Sequence, residues 1–199
     1  AVESNLTGHI FDNDLVKARS DFLKKSPVPY NIIISQTGES IPYSHRIFAE
    51  ENVPVIIATS PQGSKSVISN LNYSYQLIDL NSNNSFRTIP NIEAENNEVI
   101  ILTTGQDYKL NEKILFEFLK KIGLDKIMIE TPSYAHYLMQ KRLLDEIFIN
   151  QAGIYVGGPK FLNDDFDLAF NSDMPPQAKM VTIHSYDSYF FAFRYRLIY

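Results

Sequence analysis

The segment VPVIIATSP, residues 53–61, is an unbroken apolar run that ends in two hydroxyl residues and a proline. Its valines and isoleucines follow one another without polar alternation, which describes a strand covered on both faces. Runs of the same length and character recur at 31–35, 98–103, 126–130 and 146–150. Parallel strands look like this when helices pack on each side of the sheet. Helix candidates at 13–25, 64–70, 111–122 and 133–144 lie between the runs. The third is the clearest: Ile114, Leu115, Phe118, Leu119 and Ile122 form one stripe, charged residues fill the opposite side, and Gly123 follows as a stop. The class is therefore α/β, a three-layer α/β/α arrangement around a mostly parallel mixed sheet. Two β-rich runs within 178–199, around Ser185-Tyr186-Asp187-Ser188, predict a C-terminal hairpin at the sheet edge.

A chain of 199 residues with 44% hydrophobic content can close one sizeable core, so one domain is expected. The formal charge of -5 is spread along the sequence. No block of lysine and arginine is long enough to track phosphates, which argues against nucleic acid as a partner. With no cysteine there are no disulfides, thiolate metal sites or thiol nucleophiles. No run reaches the roughly 18 to 20 apolar residues of a membrane helix, and the N-terminus lacks a signal-peptide pattern, so no membrane association and a cytoplasmic location are expected. Three triplets, at 5–7, 72–74 and 83–85, fit the glycosylation acceptor pattern, which has no consequence without a secretory signal. The asparagine-rich segment 81–97 reads as an exposed loop.

Chemistry in α/β sheets collects where strands end and helices begin, because helix N-termini offer unpaired N–H groups and partial positive charge. Glu130-Thr131-Pro132-Ser133 is such a junction, with Thr131 as a cap, Pro132 at the first helical position and Ser133 adding a hydroxyl. It reads either as a phosphate seat or as a well-made helix start. Thr59-Ser60-Pro61 and Thr103-Thr104-Gly105 end two other strands in the same manner, and in a parallel sheet these ends share one edge. Neither glycine-rich nucleotide fingerprint is present. The histidines His9, His45, His136 and His184 fall at no metal-ligand spacing, so no metal is expected. The absence of a G-x-S-x-G elbow disfavours acyl transfer, and a hydrolase built on Glu130 and Asp12 has only two carboxylates in its favour.

The order VPYNIIISQTGESIPYSHRIFAEENVPVIIATS (28–60), then GLDKIMIETPSYAHYLMQKRLLDEIFINQAGIYVGG (123–158), resembles the reductase domain of riboflavin biosynthesis, which has a dihydrofolate reductase-like fold. Its most specific part is the glutamate, turn and helix followed by Leu144-Asp145-Glu146-Ile147 and the closing Gly157-Gly158; Phe193-Arg194-Tyr195-Arg196 looks like the family's last strand. The resemblance implies an NADPH-dependent reduction of a ribosylamino-pyrimidine phosphate or a similar small molecule. It places Asp12, Val16, Arg19 and Glu130 on the substrate side, with Arg19 toward a phosphate. Ser35, Thr59, Ser60, Gly105, Thr131 and Ser133 fall on the cofactor side.

Two departures accompany it. The family's turn is typically Glu-Gly-Gly-Pro, whereas this chain has Glu130-Thr131-Pro132, and a β-branched threonine cannot replace glycine at positive φ cheaply. The family also carries a strand, a loop and a helix before the point where Ala1 stands. Either those elements were removed from the chain, or another polypeptide supplies them, or the protein does without part of the usual site; an incomplete sheet would leave an open edge, which a homodimer would cover. A non-catalytic descendant that keeps the fold as a binding or assembly module is the alternative reading.

Overall fold

The apolar run at 53–61 becomes strand β2 (Val55–Thr59), every residue of which is buried. In the computed structural model, which describes residues 10, 12–50, 53–81, 98–154 and 175–199, β2 lies inside a four-stranded sheet. Its parallel neighbours are β1 (Asn31–Ile34) and β4 (Val99–Thr103), and β4 pairs in parallel with β3 (Tyr75–Asp79) on its far side. The continuous apolarity has a direct cause. Ile56, Ala58, Ile100 and Leu102 face one cluster with Leu115, Phe118 and Leu119, while Val55, Ile57, Val99 and Ile101 face another with Val67, Leu71 and Phe48. Strand residues alternate between the two sides, so a strand with helices on both sides must be apolar throughout.

The helices on those sides are α2 (Pro61–Asn70) and α3 (Glu112–Lys121). Helix α3 begins where the Asn111 side chain accepts from the Ile114 N–H at 3.2 Å, and carries Glu112 in its first turn and two lysines in its last, both favourable to the helix dipole. It ends before Gly123, whose φ of +87° reverses the chain. Helix α1 (Asn13–Asp21) differs: it is capped by Asp12, buries no side chain, and stops four residues short of the predicted end. Beyond it, Lys25 donates to the Gly123 carbonyl and the Asp125 carboxylate, each at 2.7 Å. That contact holds the Asp125 carboxyl below its usual range.

By contacts the chain divides into two units, 1–126 and 127–199. The second contains α4 (Pro132–Gln140) and a separate three-stranded antiparallel sheet, in the order β5 (Glu146–Ala152), β7 (Phe190–Ile198), β6 (Gln177–Ser185). The α/β class holds, with corrections to three elements. The C-terminal hairpin forms, and its β7 pairs with β5, so the run 146–150 is an antiparallel strand of this second sheet and not a parallel one. The run 126–130 is not a strand, and Met128 within it is 81% exposed. The fourth parallel strand is instead β3, which covers the open side of β4.

On one side of the antiparallel sheet Arg194 makes a two-pronged contact with Glu146, at 2.8 and 3.0 Å, and its guanidinium lies over the Phe148 ring. Arg194 holds the Glu146 carboxyl below the usual carboxylate range. Triplets 5–7 and 83–85, most of the 81–97 segment, and Gly157-Gly158 lie outside the described residues. No helix among the described residues is long and apolar enough to cross a membrane.

Candidate functional site

Because β1, β2 and β4 run the same way, Ser35, Thr59, Ser60 and Gly105 come together at one edge of the parallel sheet. The backbone ties there are short. The Ser35 N–H donates to the Ala58 carbonyl at 3.1 Å, and the Thr104 N–H donates to the Thr59 carbonyl at 3.2 Å. Two of the three strand ends read from the sequence as sharing an edge, Thr59-Ser60 and Thr103-Thr104-Gly105, do so, while Glu130-Thr131 follows no strand; the organiser of the shared edge is a residue the sequence reading missed, Gln36.

The Gln36 carbonyl accepts from the Ser60 hydroxyl at 2.6 Å and from the Thr59 hydroxyl at 3.4 Å. Ser60 Oγ in turn accepts from the Gly63 N–H at 3.0 Å, capping α2. Both side chains are fully buried. Each remaining donor of the α2 first turn is also engaged: Pro61 has none, Gln62 donates to the Asp107 carbonyl at 3.0 Å, and Ser64 donates to the Ser60 carbonyl at 3.0 Å. The start of α2 is thus closed by the protein itself, and the hydroxyls of Thr59 and Ser60 serve to join the β1 loop to β2 and α2.

Two further unanticipated residues hold this loop. Gly38, at φ +74°, donates from its N–H to Ser35 Oγ at 3.1 Å, and its carbonyl accepts from the Tyr43 hydroxyl at 2.6 Å. Burial pushes the Tyr43 phenol up, which keeps it a donor. Gly63 sits where the loop crosses α2, and a Cβ there would run into the Gln36 carbonyl and Thr59 Oγ1. Gly105, at φ +89°, has its N–H directed to the Asn81 side-chain oxygen at 3.0 Å, while Thr103 donates to Asp79 at 3.2 Å. A serine followed by proline and, three residues on, glycine is the signal that would have marked Gly63 as a close crossing beside a helix start. Asp79 and Asn81 were missed together with β3.

Thr104 Oγ1 is buried and has no hydrogen-bond partner among the described residues. A buried hydroxyl without a partner costs about 1–3 kcal/mol. Thr104→Val keeps the shape and removes the hydroxyl, and is expected to raise stability by about 1 kcal/mol in urea unfolding. Unchanged or lower stability would mean that this hydroxyl is satisfied.

The substrate-side residues divide between the two units. Asp12 is the N-cap of α1, its Oδ1 accepting from the N–H groups of Asp14 and Leu15 at 2.8 and 3.1 Å. Val16 is half-buried one turn on. The Arg19 Nε donates to the Ser26 carbonyl at 2.6 Å and secures the turn after α1. In the second unit Glu130, Thr131 and Ser133 are exposed at the start of α4. Pro132 takes the first helical position and Thr131 the cap position, but the Thr131 side chain makes no cap bond, contrary to the expectation for a threonine there. Its φ of -101° is ordinary extended backbone, so the turn does not use the conformation that favours glycine.

Hydroxyl-bearing strand ends on one edge of a helix-covered parallel sheet, followed in the chain by an antiparallel three-stranded sheet, define an α/β fold. Among solved structures the chain is similar to a pyrimidine reductase-like protein from Corynebacterium diphtheriae, with a TM-score of 0.61 at 18% identity, over 99% of this chain and 72% of that one. It is also similar to a diaminohydroxyphosphoribosylaminopyrimidine deaminase/5-amino-6-(5-phosphoribosylamino)uracil reductase from Thermotoga maritima, with a TM-score of 0.41 at 18% identity, over 98% of this chain and 42% of that one. The first likeness establishes the fold. No family model matches the sequence, and no curated protein matches it.

Proposed function

We propose that this chain is an NADPH-dependent reductase of a small pyrimidine-type phosphate, with the phosphates of the cofactor received at the start of α4. The observation that carries this reading is the open first turn there. Thr131 leaves its cap bond unmade, and Ser133 presents an exposed N–H and hydroxyl at the positive end of a nine-residue helix. This donor set suits an anionic group, whereas the closed start of α2 does not. NADPH would supply the hydride. The protein's part is orientation: Ser133 and Thr131 as phosphate donors, with the exposed Glu130 carboxylate just before them as an acceptor for a polar group of the ligand. Arg19, with Nε committed to Ser26, offers its terminal nitrogens to a substrate phosphate.

Titration of NADPH against the pure protein tests this directly. A dissociation constant in the micromolar range is expected, and Ser133→Asp, which sets a negative charge against the phosphate, should weaken it about tenfold. No binding at millimolar cofactor overturns the proposal. The closed α2 turn favours a second reading, a reductase fold kept as a binding or assembly module. Turnover of NADPH with an aldehyde, imine or pterin-like substrate would end that reading.

A further inference from the structure

Residues 12–26 are fastened to the rest of the first unit by very little. Helix α1 has no fully buried side chain, and no residue from 12 to 26 belongs to or packs against either core cluster. Leu15, Phe22 and Leu23 stand 60%, 83% and 55% exposed. Most polar bonds of this stretch stay inside it. Asp12 caps the helix, Ser20 Oγ donates to the Val16 carbonyl at 3.2 Å, the Lys25 N–H donates to the Arg19 carbonyl at 3.3 Å, and Arg19 Nε donates to the Ser26 carbonyl at 2.6 Å. These bonds close the helix end on itself and attach it to nothing else. The tie to the body is Lys25, whose ammonium donates at 2.7 Å to both the Gly123 carbonyl and the Asp125 carboxylate beyond α3.

We infer that α1 is a strap that opens from and closes onto the end of α3, with Lys25 as its latch. Two opposed effects keep it near balance. The latch is an ion pair whose side chains are 34% and 49% exposed, a kind that contributes little and is screened by salt. Closing it holds Lys24, the residue before, at φ +52°, a left-handed conformation that costs an L side chain an amount of the same order as such a pair returns. No deep apolar burial decides the matter, in contrast with α3, whose Leu115, Phe118 and Leu119 are at most 1% exposed. Once detached, a nine-residue helix is shorter than the roughly 12 to 15 residues that persist in water, so opening the latch also melts α1. Asp12 and Arg19 ride on this strap, and its position decides where both side chains are presented. All of these contacts lie within the first unit and hold whether or not the chain is a reductase.

Hydrogen exchange of the full chain, followed by mass spectrometry, tests this strap. In the native chain the amides of 16–22 are expected to exchange far ahead of those of β2 and β4, and raising sodium chloride from about 0.05 to about 1 M should speed them about threefold without moving the strands. Lys25→Met removes both latch bonds and keeps most of the stem; it should speed the α1 amides about three- to fivefold and abolish the salt response. The exchanged pair Lys25→Asp, Asp125→Lys should bring the rate back to within about twofold of the native one, and Lys17→Met, on the same helix, should change nothing. Protection of α1 equal to that of β2 and β4 overturns the inference, as does exchange in Lys25→Met that matches the native chain or rises in the strands as well.

Discussion

Gly63→Ala is expected to lower the unfolding free energy by about 3 kcal/mol, a large effect for one methyl group. The added Cβ would meet the Gln36 carbonyl and the Thr59 hydroxyl, one a backbone atom and the other on a fully buried side chain. Neither can withdraw cheaply. The Gln36 carbonyl is held by the Ser60 hydroxyl at 2.6 Å, and moving the loop would disturb Gly38, where a Cβ would stand 2.7 Å from the Gly63 carbonyl. The change thus strains the loop after β1 and the start of α2 together. Gly123→Ala is the useful contrast: its φ is +87° but nothing lies within 4 Å of the added atom. Only the left-handed backbone penalty of about 1–2 kcal/mol applies there. Urea midpoints at constant slope measure both. A Gly63→Ala protein no less stable than Gly123→Ala would show that the crossing is looser than described.

The contrast between these glycines indicates what the amino-acid order reveals by itself. Strands β1, β2 and β4 and helix α3 were legible because their signals are local: unbroken Val and Ile where both faces are covered, and a single stripe where one is. Strand β3 escaped because Tyr75 and Leu77 are exposed on an edge, which breaks the apolar run that marks its neighbours. The run 126–130 has strand composition, yet a strand is made by its ladder, and β3 is the strand that pairs with β4 on that side. The hydroxyls show the same limit. Thr59 and Ser60 were read as facing a ligand, and they face a carbonyl more than twenty residues earlier in the chain, a partner that no spacing rule identifies. Thr131 errs in the opposite sense: the sequence position is right for a cap, but the side chain leaves the bond unmade.

Phe118→Ala should give the largest loss of stability of any single change considered, about 3–5 kcal/mol. Phe118 is 1% exposed and packs among Leu115 and Leu119 of α3 and Ile56, Ala58, Ile100 and Leu102 of the sheet. Removing its ring forfeits the burial of that apolar area and leaves a cavity between a helix and two strands. Strands β2 and β4 pair in exact register from Ile56–Ile100 to Thr59–Thr103 and are buried on both sides, so their backbones cannot collapse far into the space without sacrificing ladder bonds. Leu15→Ala on α1 provides the scale. Leu15 is 60% exposed on a helix with no fully buried side chain, and its loss should stay within about 0.5 kcal/mol. Hydrogen exchange distinguishes a local from a shared consequence: amides of β2 and β4 should lose protection together in Phe118→Ala, including the Thr104 N–H that ties the two strand ends. A loss below about 1 kcal/mol, or one confined to α3 amides, would mean that the helix and the strand ends are not braced by this ring.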